Sequence, residues 1–160
     1  MNQTFSHQNL SVKIAICLTT FFLAVLNFIP AASATTQKLQ LESRQGYTIE
    51  ASFSYPTQPT GAIAERGEGA TKTIDSLKVS FYDPDGNAIA SYDNIKDGVA
   101  RGKYFEFNYD PATGELQGAI DIGGESAGEM YLKGEVESGL SLIEVDRSGE
   151  KEIDTLNIKH

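Results

Sequence analysis

Residues 76–92 read Ser-Leu-Lys-Val-Ser-Phe-Tyr-Asp-Pro-Asp-Gly-Asn-Ala-Ile-Ala-Ser-Tyr, and this stretch decides the fold class. In its first half apolar side chains alternate with polar ones, which is the period of a strand with one buried face. The central residues 83–86 have proline second and glycine fourth, and this order favours a type I turn. The stretch therefore predicts a β-hairpin whose return strand covers residues 87–92.

The same alternation recurs along most of the chain, interrupted by short segments rich in glycine, aspartate and proline. Further strands are predicted near residues 38–42, 47–55, 105–109, 116–122, 129–136, 140–145 and 152–158. With about eight strands and no sustained helical stripe, we expect an all-β fold, an antiparallel β-sandwich, with a barrel-like variant as the alternative. The adjacent apolar residues Leu142 and Ile143 break the alternation, which indicates a β-bulge or an edge strand buried on both sides.

One segment departs from this rhythm. Residues 56–73 are rich in Gly, Pro, Thr and Ala and show no sustained period. Long segments of this kind in a compact domain are either disordered or functional. We therefore expect a flexible loop at about 56–73.

The amino-terminal residues have the three parts of a secretory signal. A polar stretch ends at Lys13, an apolar run covers residues 14–29, and small residues precede Ala34. The apolar run is shorter than the ~20 residues that a membrane-spanning helix needs. We expect residues 1–34 to be cleaved between Ala34 and Thr35, leaving a single β-rich domain at 35–160 that is secreted or periplasmic and free of the membrane.

Composition restricts what this domain can do. Residues 35–160 contain 12 basic and 22 acidic residues, a net charge of −10 that disfavours binding to nucleic acid or anionic lipid. The single cysteine, Cys17, and one of the two histidines, His7, fall in the leader. Because His160 alone would remain, a catalytic triad, a thiol nucleophile and a histidine-ligated zinc are all disfavoured, and we expect the protein not to be an enzyme.

The order of five strand and turn motifs along the chain allows a comparison with known protein families. They are Tyr-Thr-Ile-Glu-Ala-Ser-Phe-Ser-Tyr at 47–55, Asp-Ser-Leu-Lys-Val-Ser-Phe-Tyr-Asp-Pro-Asp-Gly-Asn at 75–87, Phe-Glu-Phe-Asn-Tyr-Asp at 105–110, Thr-Gly-Glu-Leu-Gln-Gly at 113–118 and Ser-Leu-Ile-Glu-Val-Asp at 141–146. Over residues 46–158 the series resembles secreted cyanobacterial proteins of unknown function, many with a Pro-Glu-Pro (PEP-CTERM) sorting tail read by an exosortase. The resemblance implies an extracytoplasmic β-domain and supplies no catalytic residues. The sequence does not contain the Pro-Glu-Pro tail, so sorting by that route is not expected.

Acidic turn residues form the first candidate site. Asp83, Asp85 and Asn87 have a spacing with which a loop can offer several oxygens to Ca²⁺. The rest of an EF-hand loop does not follow, so a looser calcium site would use Asp83, Asp85, Asp93 and Asp97. The alternative is that these residues simply build turns.

Tyrosines and clustered carboxylates form two further candidates. Tyr82, Tyr92 and Tyr104 are predicted opposite their strands' most apolar neighbours, where an exposed row could stack on sugars; ordinary strand chemistry is the alternative. The carboxylates around a glycine-rich bend are those of Asp121, Glu125 and Glu129. Two of them could act as a glycosidase pair; the alternative is that they lie close together by chance in so acidic a chain.

These observations predict an exported, non-catalytic binding or matrix-associated protein. Its expected partner is a polysaccharide or an envelope protein, and Ca²⁺ is the one cofactor that the sequence admits. A small carboxylate-dependent hydrolase acting on envelope sugars is the competing class, and a purely structural spacer is the third.

The leader yields the first testable prediction. In a host that exports proteins, the purified chain should begin at Thr35, as measured by intact mass and amino-terminal sequencing. Replacing Ala34 with the larger leucine should block cleavage, because the peptidase site accepts small residues. Purified protein of unchanged sequence that retains residues 1–34 would contradict the prediction.

Overall fold

The computed structural model describes residues 33–158, so nearly all of the predicted leader lies outside the described residues. The described part forms thirteen strands: β1 (Ala34–Glu42), β2 (Thr48–Pro56), β3 (Ile63–Arg66), β4 (Gly69–Ala70), β5 (Ser76–Tyr82), β6 (Ala88–Lys96), β7 (Val99–Ala100), β8 (Glu106–Asp110), β9 (Glu115–Leu116), β10 (Ala119–Gly123), β11 (Met130–Glu135), β12 (Gly139–Asp146) and β13 (Gly149–Leu156). Within it there is no helix long and apolar enough to cross a membrane.

The strands form two antiparallel sheets. The first sheet has the order β1-β2-β5-β6-β7-β4, and the second has the order β13-β12-β11-β10-β8-β3, with β9 paired to β8. The predicted all-β class and antiparallel pairing are confirmed. Neither sheet closes on itself over the described residues, so the fold is consistent with the sandwich and not with the barrel-like variant.

The number of strands exceeds the predicted eight because several are only two to five residues long. Two of them, β3 and β4, lie in the segment 56–73, for which the sequence predicts a flexible loop. Ile63 is fully buried there and pairs with Tyr109 of β8. The Glu65 carboxylate accepts hydrogen bonds from the backbone N–H groups of Lys72 and Thr73. One apolar anchor and one acidic side chain thus order a segment that has no visible period.

The hairpin formed by β5 and β6 follows the prediction at its turn. The Gly86 N–H donates to the Asp83 carbonyl over 2.9 Å, and this bond closes a β-turn over residues 83–86. The return strand, however, runs to Lys96 instead of ending at residue 92, and the chain turns at Asp97 and Gly98, which both have positive φ. The extra residues matter because they bring Asn94 to the junction of the two sheets.

The core lies between the sheets and is built by the apolar side chains that the alternation predicts. The Phe53 ring of β2 meets two rings of β8 edge-on, with centroids 4.9 Å from Phe107 and 4.8 Å from Tyr109. Such aromatic pairs stabilise beyond the area that they bury. The break in alternation at Leu142 and Ile143 coincides with a register shift between β12 and β13, which confirms the predicted irregularity.

Replacing Phe53 with alanine should lower the free energy of unfolding by about 3–5 kcal/mol, because it removes a fully buried ring from the contact between the sheets. Urea denaturation followed by circular dichroism measures the change. As a control, alanine at the exposed Ile89 should change the stability by less than about 0.5 kcal/mol. Equal losses in the two variants would show that Phe53 is not central to the core.

Candidate functional site

A cavity of about 340 Å³ lies where the ends of β6 and β10 meet, at the junction of the two sheets. We call it the seam cavity and define it by six of its lining side chains: Tyr92, Asn94, Arg101, Asp121, Glu125 and Glu129. Three of the six are carboxylates, and one is a buried amide. The cavity therefore concentrates hydrogen-bond acceptors in a partly desolvated place.

Two consecutive glycines shape the seam cavity at the end of β10. A Cβ on Gly123 would overlap the Met130 carbonyl, and Gly123 also has a φ of +132° that side chains rarely adopt. A Cβ on Gly124 would overlap both the Tyr92 ring and the Glu129 carboxylate. The missing side chains thus allow the bend after β10 to close directly onto β6.

The bend over residues 124–129 is held by its own hydrogen bonds. The Ser126 N–H donates to Glu129 Oε2 over 2.7 Å, and the Glu129 N–H returns a bond to the Ser126 carbonyl over 2.9 Å. The Gly128 N–H donates to the Val145 carbonyl of β12. The Glu129 carboxylate is therefore fixed in the wall of the cavity by a hydrogen bond from its own bend.

Asn94 joins the two sheets and leaves one atom unsatisfied. Its side chain is 3% exposed, and its Nδ2 donates to the Gly123 carbonyl over 3.3 Å. The backbone carbonyl of Asn94 accepts a hydrogen bond from the backbone N–H of Arg101 over 2.7 Å. Its Oδ1 is buried and accepts no hydrogen bond from any described residue. An unsatisfied buried acceptor costs about 1–3 kcal/mol, so Asn94 carries a local energetic penalty at the junction of the two sheets.

Asp121 is the most deeply placed carboxylate of the cavity. Its Oδ2 lies 3.2 Å from Lys133 Nζ, across the register pair of β10 and β11. Burial raises the pKa of the Asp121 carboxyl, and the lowering effect of Lys133 only partly opposes it. Partial desolvation, followed by the charge of Asp121, likewise raises the pKa of Glu125. The two groups thus bind a proton more readily than free carboxylates do.

The three tyrosines expected to form an exposed row are placed apart, so that expectation is wrong. Tyr92 packs against the core side of β6, 6.4 Å from the Phe81 ring, and lines the seam cavity. Tyr82 lies on the outer face of the first sheet near Glu50. Tyr104 is 63% exposed, with Lys133 Nζ 5.6 Å from its ring centre. The three tyrosines do not form a row because Tyr92 lies opposite buried Val79 in the register of β5 and β6, and the two side chains therefore share the inward face.

The acidic residues considered for calcium are also distributed. Asp83 Oδ1 accepts from the Asp85 and Asn87 N–H groups, and the Asn87 side chain is the main cause of its lowered pKa. Asp93 lines the seam cavity, and Asp97 lies in the turn after β6. Within residues 33–158 no group of three or more acidic, histidine or cysteine side chains is arranged to hold a metal ion. The Asp83 side chain acts here as a turn builder.

The structure thus brings together one predicted group and adds residues that the sequence reasoning missed. Asp121, Glu125 and Glu129 do meet at the glycine-rich bend. Asn94 was missed because the sequence predicts that β6 ends before it, and Arg101 because the short strand β7 that precedes it was not predicted. The signal that could have found the site is Gly123-Gly124 directly after a buried strand, since paired glycines mark close backbone approach.

Comparison with known proteins returned no matching family model, curated protein or solved structure. The chemistry of the seam cavity is therefore the main guide to function.

Replacing Gly124 with alanine should lower stability by about 1–3 kcal/mol, because the new methyl group overlaps Tyr92 and Glu129 and forces them apart. Urea denaturation measures this loss. Ser126, in the same bend and exposed, offers a matched control whose alanine variant should stay within about 0.5 kcal/mol. If Gly124→Ala is as stable as Ser126→Ala, the bend does not close on β6 as described.

Proposed function

We propose that this protein is exported and binds, without transforming it, a hydroxyl-rich ligand of the class of extracytoplasmic polysaccharides in the seam cavity. The observation that carries the proposal is the convergence of four carboxylates and the Arg101 guanidinium on the wall of one cavity. Such a wall accepts hydrogen bonds from a ligand that donates several.

Sugar hydroxyls supply donors of this kind. Carboxylate oxygens accept only, and bonds to an ionised acceptor are roughly twice as strong as neutral ones. Glu125 is exposed at the cavity, so a ligand can reach its oxygens directly. Arg101 adds hydrogen-bond donors, since its guanidinium N–H groups can donate to the ring or hydroxyl oxygens of a sugar. Together these groups can bind a hydroxyl both as donor and as acceptor.

The size and wall of the cavity agree with a short stretch of a polymer. About 340 Å³ is at the lower end of the ~300–1,000 Å³ found for small-molecule sites. Phe105 and Tyr92 add apolar surface beside the polar groups. This combination suits one or two sugar units, which have apolar faces and polar rims.

The charges of the protein restrict the class of glycan that the cavity can bind. The acidic excess of the chain disfavours phosphate- or carboxylate-rich polymers. One cationic side chain, Arg101, lines the cavity against four carboxylates, and Lys133 is not part of the lining but forms an ion pair with one of them, Asp121. Those carboxylates belong to Asp93, Asp121, Glu125 and Glu129. A neutral or amino-substituted glycan therefore fits better than an anionic one.

A carboxylate-dependent hydrolase is the second candidate. The observation in its favour is the raised pKa of both Asp121 and Glu125, since a glycosidase needs one carboxyl that stays protonated near neutral pH. Against it, Asp121 is paired with Lys133, which favours the ionised form. Release of reducing ends from bound glycans distinguishes the two functions.

Titration of the purified protein with a panel of neutral, amino-substituted and acidic oligosaccharides, followed by calorimetry, tests the proposal. A neutral or amino-substituted glycan should bind, and Glu125→Gln and Arg101→Ala should each weaken binding about tenfold or more, because each removes a charge-assisted hydrogen bond. Both side chains are exposed, so folding should be retained.

Tyr82→Phe is the matched control, because it removes a hydroxyl from the outer face of the first sheet, away from the cavity, and should leave binding unchanged. The absence of binding across the panel, or an equal loss in the Tyr82 variant, would overturn the seam-cavity proposal. Release of reducing ends that Asp121→Asn abolishes would instead support the hydrolase.

A further inference from the structure

β1, one of the two edge strands of the first sheet, is unusually regular for an edge. β1 pairs with β2 over nine consecutive residues without a register shift, and no described strand pairs with its other side. It contains no proline. Natural sheet edges are usually protected by charges, bulges or short length. β1 is long and regular, so its outer backbone groups present a continuous template for another strand.

The corresponding edge of the second sheet is protected in the usual way. β13 carries Glu150, Lys151 and Glu152 in succession, and a register shift interrupts its pairing with β12. Such an edge resists pairing with another chain. The contrast indicates that the regularity of β1 is specific to that edge.

The inward side chains of β1 remain incompletely covered. Leu39 and Leu41 pack against the core but are only half-buried, whereas Ile49 and Phe53 of the neighbouring β2 are 1% and 0% exposed. A strand added beside β1 would extend the core by one position and remove apolar surface of both leucines from water.

The charges on β1 select both the partner and the register. Along the outward face the order is Lys38, Gln40 and Glu42. If a second copy of β1 pairs antiparallel about a two-fold axis at Gln40, Lys38 of each copy lies opposite Glu42 of the other. An axis at Lys38 would set two lysines against each other, and an axis at Leu41 would pair Lys38 with Arg44. Among symmetric registers, the one at Gln40 alone pairs Lys38 with Glu42.

We propose that this protein forms a two-fold symmetric dimer by antiparallel β1–β1 pairing centred on Gln40. The register also places Leu39 of each copy opposite Leu41 of the other, so the half-buried leucines cover one another. The interface is isologous and closes after two copies. The two six-stranded first sheets become one sheet of twelve.

The dimer goes beyond the proposed binding function and is compatible with it. β6, which contributes to the seam cavity, lies three strands away from β1 in the first sheet. Both cavities therefore stay accessible in the dimer. If the proposed function holds, a repeating polymer can engage two cavities at once, which raises its apparent affinity.

Sedimentation equilibrium of the purified exported protein tests the dimer, and a charge swap tests its register. Lys38→Glu and Glu42→Lys should each raise the dimer dissociation constant about tenfold, because each creates two like-charge pairs across the interface. The double variant restores opposite charges and should dimerise within about threefold of the natural chain. Lys78→Glu is the control: it makes the same charge change on the outer face of the inner strand β5 and should have no effect.

Cysteine cross-linking provides an independent test that does not depend on stability. In the exported protein, from which Cys17 is removed with the leader, Gln40→Cys should form a disulfide between copies under mild oxidation, because facing Cα atoms lie about 4.5–5.5 Å apart. Thr36→Cys, on the same face, should not, since its two copies lie about 27 Å apart in this register. A monomer at all concentrations, a double variant no better than the single ones, or equal cross-linking at Thr36 would each overturn the dimer. Glycan binding plays no part in either test, so the two proposals fail separately.

Discussion

The contact of Phe53 with Phe107 and Tyr109 is the interaction on which the rest of this structure depends. It joins the second strand of one sheet to the other sheet, and Phe53 and Phe107 are fully buried. With Cys17 as the single cysteine, no intramolecular disulfide can share this task. Apolar packing between the sheets therefore sets how closely they approach, and hence where polar groups become enclosed at their margins.

The seam cavity follows from that approach. Where β6 and β10 meet, the alternation no longer supplies apolar side chains, and Asn94 and Asp121 are enclosed instead. A hydrogen bond from Asn94 to Gly123 and an ion pair from Asp121 to Lys133 compensate part of the cost of burial. The rest of the burial cost is not compensated: Asn94 Oδ1 accepts no hydrogen bond from the described residues, and burial raises the pKa of Asp121. Local departures from full satisfaction of this kind are characteristic of binding sites.

The edge strands β1 and β13 differ in how far they leave backbone groups open to pairing with another chain. Successive charges and a register shift protect β13 against such pairing, whereas β1 pairs with β2 without a register shift and carries a charge order complementary to itself. The same physical rule, that an unpaired edge attracts a strand, thus has different outcomes at β13, which resists pairing, and at β1, which permits it. A domain with an edge strand that permits pairing and a site on a different strand can associate without covering its site.

The sequence by itself determined the all-β class, the alternating core positions, the turn at 83–86 and the irregularity at Leu142, because each depends on neighbours within a few residues. The tertiary structure decided what depends on partners distant in the chain. Ile63 orders the supposed loop by pairing with Tyr109, β6 turns Tyr92 inward, and the bend after Gly124 brings Glu129 to the cavity that Asn94 lines. Local patterns set the period of a strand, but the packing of the two sheets selects which strands meet and which polar atoms are left between them.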